Sequence, residues 1–355
     1  MNKYFNNQDS NQRRTHKGQK FLRKLNAGFI LPVILLLAFS VVLAGCGQTP
    51  TSKPADKLTS VTLMLDWAPN TNHTGLYVAK DKGYFAAQGL DVKIVPPSSQ
   101  GTVEQLVATG KVQFGVSQQE QVTTARANDL PLVSLAAIIQ HNTSGFASLP
   151  PKNIRSAKDF EGKTYGGWGL PSEEAVLKAL MQKENADFTK LKMVNIGEAD
   201  QLTLLGKDID TTWIFYGWTG IEAEIRKQPL NMIWLKDVDP ALDYYTPVLV
   251  SGENTIKNDS DLVRRFMKAV SEGYKFAIAN PSEAAEILIK NAPEADPNLI
   301  RQSQAWLSPR YQADAPRWGE QKTAVWEGYA KWLVERNLLP KMIDPAKAFT
   351  NDFLP

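Results

Sequence analysis

The stretch that decides the fold is residues 61–95, which have the sequence VTLMLDWAPNTNHTGLYVAKDKGYFAAQGLDVKIV. The apolar run at 61–67 predicts a buried strand, the amphipathic stretch at 74–88 a helix, and residues 90–95 a second strand. A strand, a helix and a strand of these lengths are typical of a parallel sheet with helices packed on its faces. We therefore expect an α/β fold.

The same alternation continues along the chain. Further strands are predicted at 112–116, 132–139, 163–167, 192–196, 210–216 and 232–235, and further helices at 101–109, 119–128, 172–184 and 217–227. After Asp259 the pattern is almost entirely helical, with pieces near 260–279, 281–291, 296–306 and 317–337. Asp259, Pro281, Pro297 and Pro316 stand where N-caps and first-turn prolines are favoured.

Two domains are expected, because the folded part exceeds the size of a comfortable single core. Two apolar, turn-bounded stretches, at 144–149 and 247–251, are the candidate crossings between them. This layout places 58–146 and 249–355 in a first lobe and 147–248 in an inserted second lobe. Two crossings form a hinge, which suits closure around a ligand.

The first 45 residues form a targeting segment. A basic stretch precedes the uncharged run FILPVILLLAFSVVLA at 29–44, and Leu-Ala-Gly stands directly before Cys46. This order is typical of a lipoprotein signal, in which Cys46 becomes the lipidated first residue of the mature chain. The alternative is an uncleaved anchor, although 16 apolar residues are few for a bilayer. Residues 46–57, small and polar, are the predicted tether, so we expect an extracytoplasmic protein anchored to the membrane.

Charge and cysteine content exclude several classes of function. The whole chain carries +3, and its first 45 residues hold seven basic residues and one acid, so the remainder carries about −3. No basic stripe with interleaved aromatics is present, and nucleic acid is not an expected partner. Cys46 is the single cysteine, which leaves no disulfide framework, no catalytic thiolate and no cysteine zinc site.

The loop after the first strand carries the most informative chemistry. Asp66, Trp67, Asn70, His73 and Tyr77 offer a carboxylate, two aromatic rings, an amide and an imidazole within twelve residues. Ligands of open α/β sheets bind beyond the carboxyl ends of the strands. Such a loop could stack on a flat ring and hydrogen-bond its edge. The alternative is a polar turn with Trp67 in the core and the Asn and Thr side chains serving as caps.

This loop resembles the start of the bacterial formylaminopyrimidine-binding proteins. The selective motif is Asp-Trp-x-Pro-Asn-x-x-His-x-Gly at 66–75, and the likeness covers about residues 60–340. It continues through the less specific pieces Lys-Gly-Tyr-Phe at 82–85, Gly-Leu-Asp-Val at 89–92, Phe-Gly-Val-Ser at 114–117 and Asp-Phe-Glu-Gly-Lys at 159–163. Fungal enzymes that make the thiamine pyrimidine belong to the same superfamily.

The resemblance implies a periplasmic-binding-protein-like fold of two lobes with a ligand cleft. It implies that Trp67, Asn70 and His73 line the first lobe, with Trp67 against the face of the ring. It also implies an ABC permease and an ATPase as partners in the salvage of thiamine precursors. The ligand is then a small aromatic heterocycle, the protein a monomer, and no cofactor is needed.

Two further turns are candidates for the cleft. Ser117, Gln118 and Glu120 follow the strand at 112–116, where they could meet a ligand, cap the next helix, or do both. The turn at 166–174 contains Trp168, Ser172 and Glu173, and its glycines allow close approach to a ligand. It lacks a phosphate-loop signature, and its acids oppose an anion. A plain strand-to-helix turn is the alternative.

Aromatic residues crowd the end of the strand at 210–216. Trp213, Tyr216 and Trp218 are followed one helical turn later by Glu222. Because side chains alternate along a strand, Trp213 and Tyr216 face opposite ways, and the pattern leaves open which of the three aromatics face the cleft. A carboxylate there could accept from a ring amine, but the sequence does not choose among the candidate carboxylates.

Two rival functions fit the same residues. The first is an enzyme like the fungal pyrimidine synthases, whose resemblance implies pyridoxal phosphate on a lysine and a cysteine-rich iron site. The cysteine cluster is missing here, so no catalytic residue and no metal are expected. The second is a receptor for riboflavin or another aromatic heterocycle, which residue types alone do not separate from a pyrimidine receptor. Sulfonates are disfavoured because no arginine is predicted in the cleft.

Overall fold

The computed structural model describes residues 58–97, 99–197 and 199–355. The predicted signal segment, Cys46 and the tether lie outside these residues. Among the residues described, no helix has both the length and the apolar character to cross a membrane. All of the described residues belong to one compact unit.

The first sheet has five strands, in the order β2-β1-β3-β10-β4. Its members are β1 (Thr59–Met64), β2 (Leu90–Val95), β3 (Phe114–Ser117), β4 (Leu132–Ala137) and β10 (Val248–Gly252). β1 pairs in parallel with both β2 and β3, whereas β10 runs antiparallel to β3 and β4. The sheet is therefore parallel in its first half and reversed where the chain returns from the second sheet.

The second sheet also has five strands, in the order β7-β6-β8-β5-β9. Its members are β5 (Ser144–Ser148), β6 (Thr164–Gly167), β7 (Lys192–Asn195), β8 (Thr211–Phe215) and β9 (Asn231–Trp234). β6 is parallel to β7 and β8, and β5 is antiparallel to β8 and β9. Each sheet thus has one reversed strand, and in both sheets it is the first strand after the chain has crossed from the other sheet.

Helices cover both sheets. Near the first sheet they are α1 (Thr74–Asp81), α2 (Tyr84–Ala87), α3 (Val103–Ala108) and α4 (Gln119–Ala127). Near the second they are α5 (Pro171–Lys183), α6 (Gln201–Leu204), α7 (Ile221–Ile225) and α8 (Leu235–Val238). The C-terminal part contains α9 (Glu253–Asn258), α10 (Ser260–Ala279), α11 (Pro281–Asn291), α12 (Pro297–Leu307), α13 (Thr323–Val334) and α14 (Pro345–Ala348). The α/β prediction is confirmed.

The chain passes between the sheets twice, once before β5 and once before β10. The two passages lie side by side, since the Ile138 amide donates to the Pro247 carbonyl at 3.0 Å. The predicted lobe boundary put residues 144–146 with the first lobe, whereas they pair with β8 and β9 of the second sheet. Residue 248, placed by sequence in the second lobe, pairs within the first sheet. Hydrophobicity marks such strands as buried but does not say which sheet they join.

His141 lies in the first passage and is held by two carboxylates. Its Nδ1 is 2.7 Å from Asp243, which lies just before the second passage, and its Nε2 is 3.0 Å from Asp314 of the C-terminal part. Hydrogen bonding to Asp243, and then to Asp314, raises the pKa of His141. These partners lie 102 and 173 positions away along the chain, so no local sequence pattern reveals them.

The longest helix, α10, crosses α1 at two glycines. A Cβ on Gly273 would overlap the carbonyl oxygen of Gly75, and one on Gly75 would overlap the Tyr274 ring. The two backbones are therefore in direct contact. Any side chain at either position would push the helices apart.

Replacing Gly273 with alanine is expected to lower the free energy of unfolding by about 2 kcal/mol or more, because the helix pair is overpacked. Gly328→Ala in α13 is the matched control, since a Cβ there meets no neighbouring atom. Alanine at that position should stabilise the protein by about 0.5–1 kcal/mol through helix propensity. Urea titration of both variants measures the difference. Equal effects at the two positions would contradict the close crossing.

Candidate functional site

A cavity of about 710 Å³ lies where strands of both sheets end. Its wall is formed by residues that follow β1, β3, β6 and β7, by residues in and after β8, and by the passage before β10. The carboxyl ends of strands are where open α/β sheets bind ligands. Predicted site residues in this wall are Asp66, Trp67, Asn70, Gln118, Glu120, Trp168, Ser172, Glu173, Trp213, Trp218 and Glu222.

The loop after β1 presents Trp67 to this cavity. Trp67 is 51% exposed, which is unusual for so large an apolar side chain. The loop is held by Asn70, whose side chain accepts from the Asn72 amide at 2.9 Å. An exposed indole on an ordered loop is available to stack on a ring.

His73 lies behind the wall and does not line the cavity. It is fully buried, its Nδ1 accepts the Asn70 amide at 3.2 Å, and its Nε2 is 2.7 Å from Asp66 Oδ1. Because Nδ1 is an acceptor, Nε2 carries the hydrogen and donates to Asp66. His73 therefore orients the Asp66 carboxylate, which does line the cavity.

Three more predicted residues lie away from the cavity. Tyr77 is buried on α1, and burial raises its pKa. Ser117 donates to Glu104 at 2.5 Å. Tyr216 directly follows β8 and lies outside the cavity wall, and its hydroxyl donates to Glu224 at 2.6 Å. Burial, with that hydrogen bond, raises the pKa of Tyr216 to about 12. Polar residues at strand ends can hydrogen-bond to neighbouring residues of the protein as readily as to a ligand. The spacing of residues in the sequence does not distinguish these two roles.

Glu120 lies in the first turn of α4 and faces the cavity. Its Oε1 accepts the Tyr244 hydroxyl at 2.7 Å, while its Oε2 is buried and has no hydrogen-bond partner among the described residues. Burial raises the pKa of Glu120 to about 7, although the bond from Tyr244 opposes the shift. A carboxyl group of this kind changes its charge near neutral pH.

The glycine-rich turn after β6 is organised by Glu173. This buried carboxylate accepts the Tyr165 hydroxyl at 2.6 Å, the Trp168 amide at 3.2 Å and the Leu170 amide at 3.0 Å. A Cβ on Gly167 would overlap Glu173, so only glycine fits beside it. Both oxygens of Glu173 are thus used within the turn, and Trp168 is the side chain that the turn presents to the cavity.

Two of the three predicted aromatic residues in and after β8 face the cavity. Trp213 and Trp218 line it and Tyr216 does not. The Trp213 ring also packs against Phe146 at 5.5 Å in an edge arrangement. A π-helical turn at Tyr216–Gly220 separates β8 from α7 and allows Trp218 to turn inward.

An arginine lines the cavity, contrary to the expectation that none would. Arg226 donates to Asp200 at 2.8 Å and to Glu222 at 2.5 Å. Because it lies one helical turn after Glu222, the four-residue spacing could have revealed it. Its charge is already paired with two carboxylates. The sequence reasoning also missed further wall residues, namely Asn72, Gln121, Leu170, Gly197, Ala199, Asp200, Gln201, Phe215, Thr219, Thr246 and Pro247.

The described residues contain no group of three or more His, Cys, Asp or Glu side chains that could hold a metal ion. The cavity wall instead combines four tryptophans with carboxylates and amides. Aromatic walls with a few convergent polar groups are typical of sites for small organic molecules.

The fold, with a cavity where the strands of two sheets end, is that of the periplasmic solute-binding proteins. The periplasmic nitrate-binding protein NrtA from Synechocystis PCC 6803 has a similar structure, with a TM-score of 0.65 and 13% identity, and the match covers 84% of this chain and 87% of that one. A family model described as NMT1/THI5 like matches residues 70–284. The chain belongs to the NMT1/THI5-like family.

Two curated relatives cover nearly the whole chain. The formylaminopyrimidine-binding protein of Halalkalibacterium halodurans is 30% identical over 327 residues, which cover 90% of this chain and 98% of the relative. The riboflavin-binding protein RibY of Chloroflexus aurantiacus is 27% identical over 361 residues, covering 94% and 98%. Both relatives are binding proteins, in agreement with the prediction that this chain is not an enzyme.

Proposed function

We propose that this protein is the solute-binding component of an ABC importer and captures an aminopyrimidine thiamine precursor, formylaminopyrimidine, for salvage. We further propose that it acts outside the cytoplasm, as a monomer anchored to the membrane through a lipid on Cys46. Support comes from the signal-like N-terminal sequence, the family, and the relative from Halalkalibacterium halodurans.

The observation that carries this proposal is the exposed Trp67 indole at a cavity that also contains Trp168, Trp213 and Trp218. A pyrimidine has two apolar faces, and stacked aromatic pairs contribute about 0.5–1.5 kcal/mol beyond burial. The carboxylates and amides of the same wall suit the ring nitrogens and amine at its edge. We propose that the ligand contacts are made by the predicted residues that line the cavity.

Capture proceeds by closure of two lobes. We assign residues 58–143 and 248–355 to the first lobe and 144–247 to the second, which adjusts the sequence-based division to the strand pairing. The ligand docks on the first lobe, and the second lobe closes over it because it adds contacts that only the closed form makes. The closed form is then the one presented to the permease.

Riboflavin is the second candidate, and the similarity to RibY favours it. The cavity, at about 710 Å³, is within the range of drug-sized ligand sites. The flat isoalloxazine ring of riboflavin would stack on the same aromatic wall.

Calorimetric titration of the full-length protein in detergent with formylaminopyrimidine, hydroxymethylpyrimidine, thiamine and riboflavin distinguishes these ligands. We expect formylaminopyrimidine to bind most tightly and to be recovered unchanged. Tightest binding of riboflavin would establish the alternative. Chemical conversion of any of these ligands would contradict the proposal that the protein is a receptor and not an enzyme.

Trp67→Ala is expected to weaken the binding of formylaminopyrimidine at least about tenfold, because it removes stacking area from the ring face. Since Trp67 is half-exposed, the free energy of unfolding should change by less than about 0.5 kcal/mol. Met342→Ala, which truncates another exposed apolar side chain away from the cavity, is the control. Unchanged affinity in Trp67→Ala would show that the ring lies elsewhere.

A further inference from the structure

Three buried polar atoms without partners belong to residues of one cavity wall. In the described part of the chain, seven side-chain nitrogen or oxygen atoms are buried with no hydrogen-bond partner. Three of them, Glu120 Oε2, Trp213 Nε1 and Thr246 Oγ1, come from residues that line the cavity. Buried polar groups in native proteins are normally hydrogen-bonded, so an unpaired set at one site indicates a ligand that completes it.

The Glu120 carboxyl has a fixed direction. Its Oε1 accepts the Tyr244 hydroxyl, whose ring packs against Tyr329 of α13 at 4.5 Å. With Oε1 occupied, only Oε2 remains without a partner. As a carboxylate oxygen, Oε2 can accept a hydrogen bond from one N–H group.

Thr246 is held beside Glu120 by backbone contacts. The Gln119 amide donates to the Tyr245 carbonyl at 3.1 Å, and the Tyr245 amide donates to Gln119 Oε1 at 2.9 Å. These two bonds tie the start of α4 to the second passage between the sheets. The hydroxyl of Thr246 can donate or accept, and the sequence pattern gave no signal for it.

Trp213 supplies a donor from the second sheet. Its side chain is 5% exposed and its ring is packed against Phe146, so Nε1 is fixed in place. An indole N–H only donates, and it therefore requires an acceptor such as a ring nitrogen or a carbonyl oxygen. The first and second sheets thus contribute complementary groups.

The other carboxylates of this wall already have partners. Asp66 accepts from His73, Glu173 accepts three donors of its own turn, and Asp200 and Glu222 share Arg226. Within residues 58–97, 99–197 and 199–355, Glu120 alone among the carboxylates of the wall has a buried oxygen with no partner.

We propose, on the basis of the proposed function, that Glu120 Oε2 accepts a hydrogen bond from the exocyclic amine of the ligand. Trp213 Nε1 donates to an adjacent ring nitrogen. The Thr246 hydroxyl forms a third hydrogen bond to the polar edge of the ring. The site is then specific for heterocycles that carry an N–H donor next to a ring acceptor. An oxo group in place of the amine would face the lone pairs of Oε2 and be rejected.

Glu120→Gln reverses the hydrogen-bonding character at this position. The Tyr244 hydroxyl needs an acceptor, so the amide oxygen takes the place of Oε1 and the amide nitrogen, a donor, takes the place of Oε2. Binding of 4-amino-5-hydroxymethyl-2-methylpyrimidine and of its 4-oxo counterpart is measured by calorimetry at pH 8 with the full-length protein. The preference of the native protein for the amino compound should fall at least about tenfold in Glu120→Gln.

Glu224→Gln is the matched control and should keep the native preference, because Glu224 also accepts a tyrosine hydroxyl, from Tyr216, but lies outside the cavity wall. Thr246→Val should weaken both pyrimidines without changing their ratio by more than about threefold. Thermal melting of each variant reports on folding. An unchanged ratio in Glu120→Gln, or an equal fall of the ratio in Glu224→Gln, would overturn the assignment of Glu120. A native protein that binds neither pyrimidine would instead overturn the proposed function together with it.

Discussion

Replacing Glu173 with alanine is expected to lower the free energy of unfolding by about 3–5 kcal/mol, the largest effect predicted for a single side chain in this protein. The change removes the acceptor of three hydrogen bonds, from the Tyr165 hydroxyl and from the Trp168 and Leu170 amides. Tyr165 is fully buried, so its hydroxyl would remain unpaired in the protein interior. Leaving each buried donor unpaired costs about 1–3 kcal/mol.

The neighbouring residue provides the control. Glu174 is exposed on the same first turn of α5, and its replacement with alanine should change the free energy of unfolding by less than about 0.5 kcal/mol. Urea denaturation followed by tryptophan fluorescence measures both variants. A loss below about 1 kcal/mol in Glu173→Ala would show that the three hydrogen bonds contribute little. Ligand affinity should fall as well, because the turn positions Trp168 at the cavity.

Local signals were sufficient for most of the fold. α10 begins at Ser260 because the Asp259 side chain accepts the Leu262 amide at 3.1 Å, and α11 begins at Pro281, a residue favoured in a first turn. Both helices were predicted with the bounds that the structure shows. Caps and prolines act over a few residues, so the sequence displays them directly.

Strand direction and sheet membership were not predictable in the same way. β5 and β10 are both fully buried, and their apolar character is the same whichever sheet they join. They are the two reversed strands, and their partners lie 60 or more positions away along the chain. Such pairing depends on packing of the whole chain and leaves no local mark.

The candidate site shows the same limit at the level of single residues. The strand-end rule located loops that line the cavity, because chain direction alone brings the ends of β1, β3, β6 and β8 together. It did not distinguish Glu120, which has a free oxygen, from Glu173, which has none. That difference depends on Tyr244 and Tyr165, whose positions follow only from the fold.

Replacing Glu120 with glutamine is expected to stabilise the protein at pH 8 by roughly 3 kcal/mol and to have little effect near pH 4.5. Burial raises the pKa of Glu120 from 4.5 to about 7 in the folded state. Between these two values the folded protein retains a proton that the unfolded chain releases, so the native protein loses stability as pH rises through this window. Above pH 7 the loss is complete, and each pKa unit corresponds to about 1.4 kcal/mol.

The variant isolates this group because glutamine has the same shape and does not titrate. The titratable groups nearest Glu120 are Tyr244 and Tyr329, and burial holds the pKa of each well above its ordinary value, so both stay neutral across the window. Other ionisable groups of the wall (Asp66, Glu173, Asp200, Glu222 and Arg226) are common to both proteins, so their contributions cancel in the comparison. Urea titrations of both proteins at pH 4.5, 6 and 8 should give a stability difference that grows with pH. A difference that is the same at all three pH values would show that Glu120 titrates normally, and that the free energy of desolvating its buried oxygen is small.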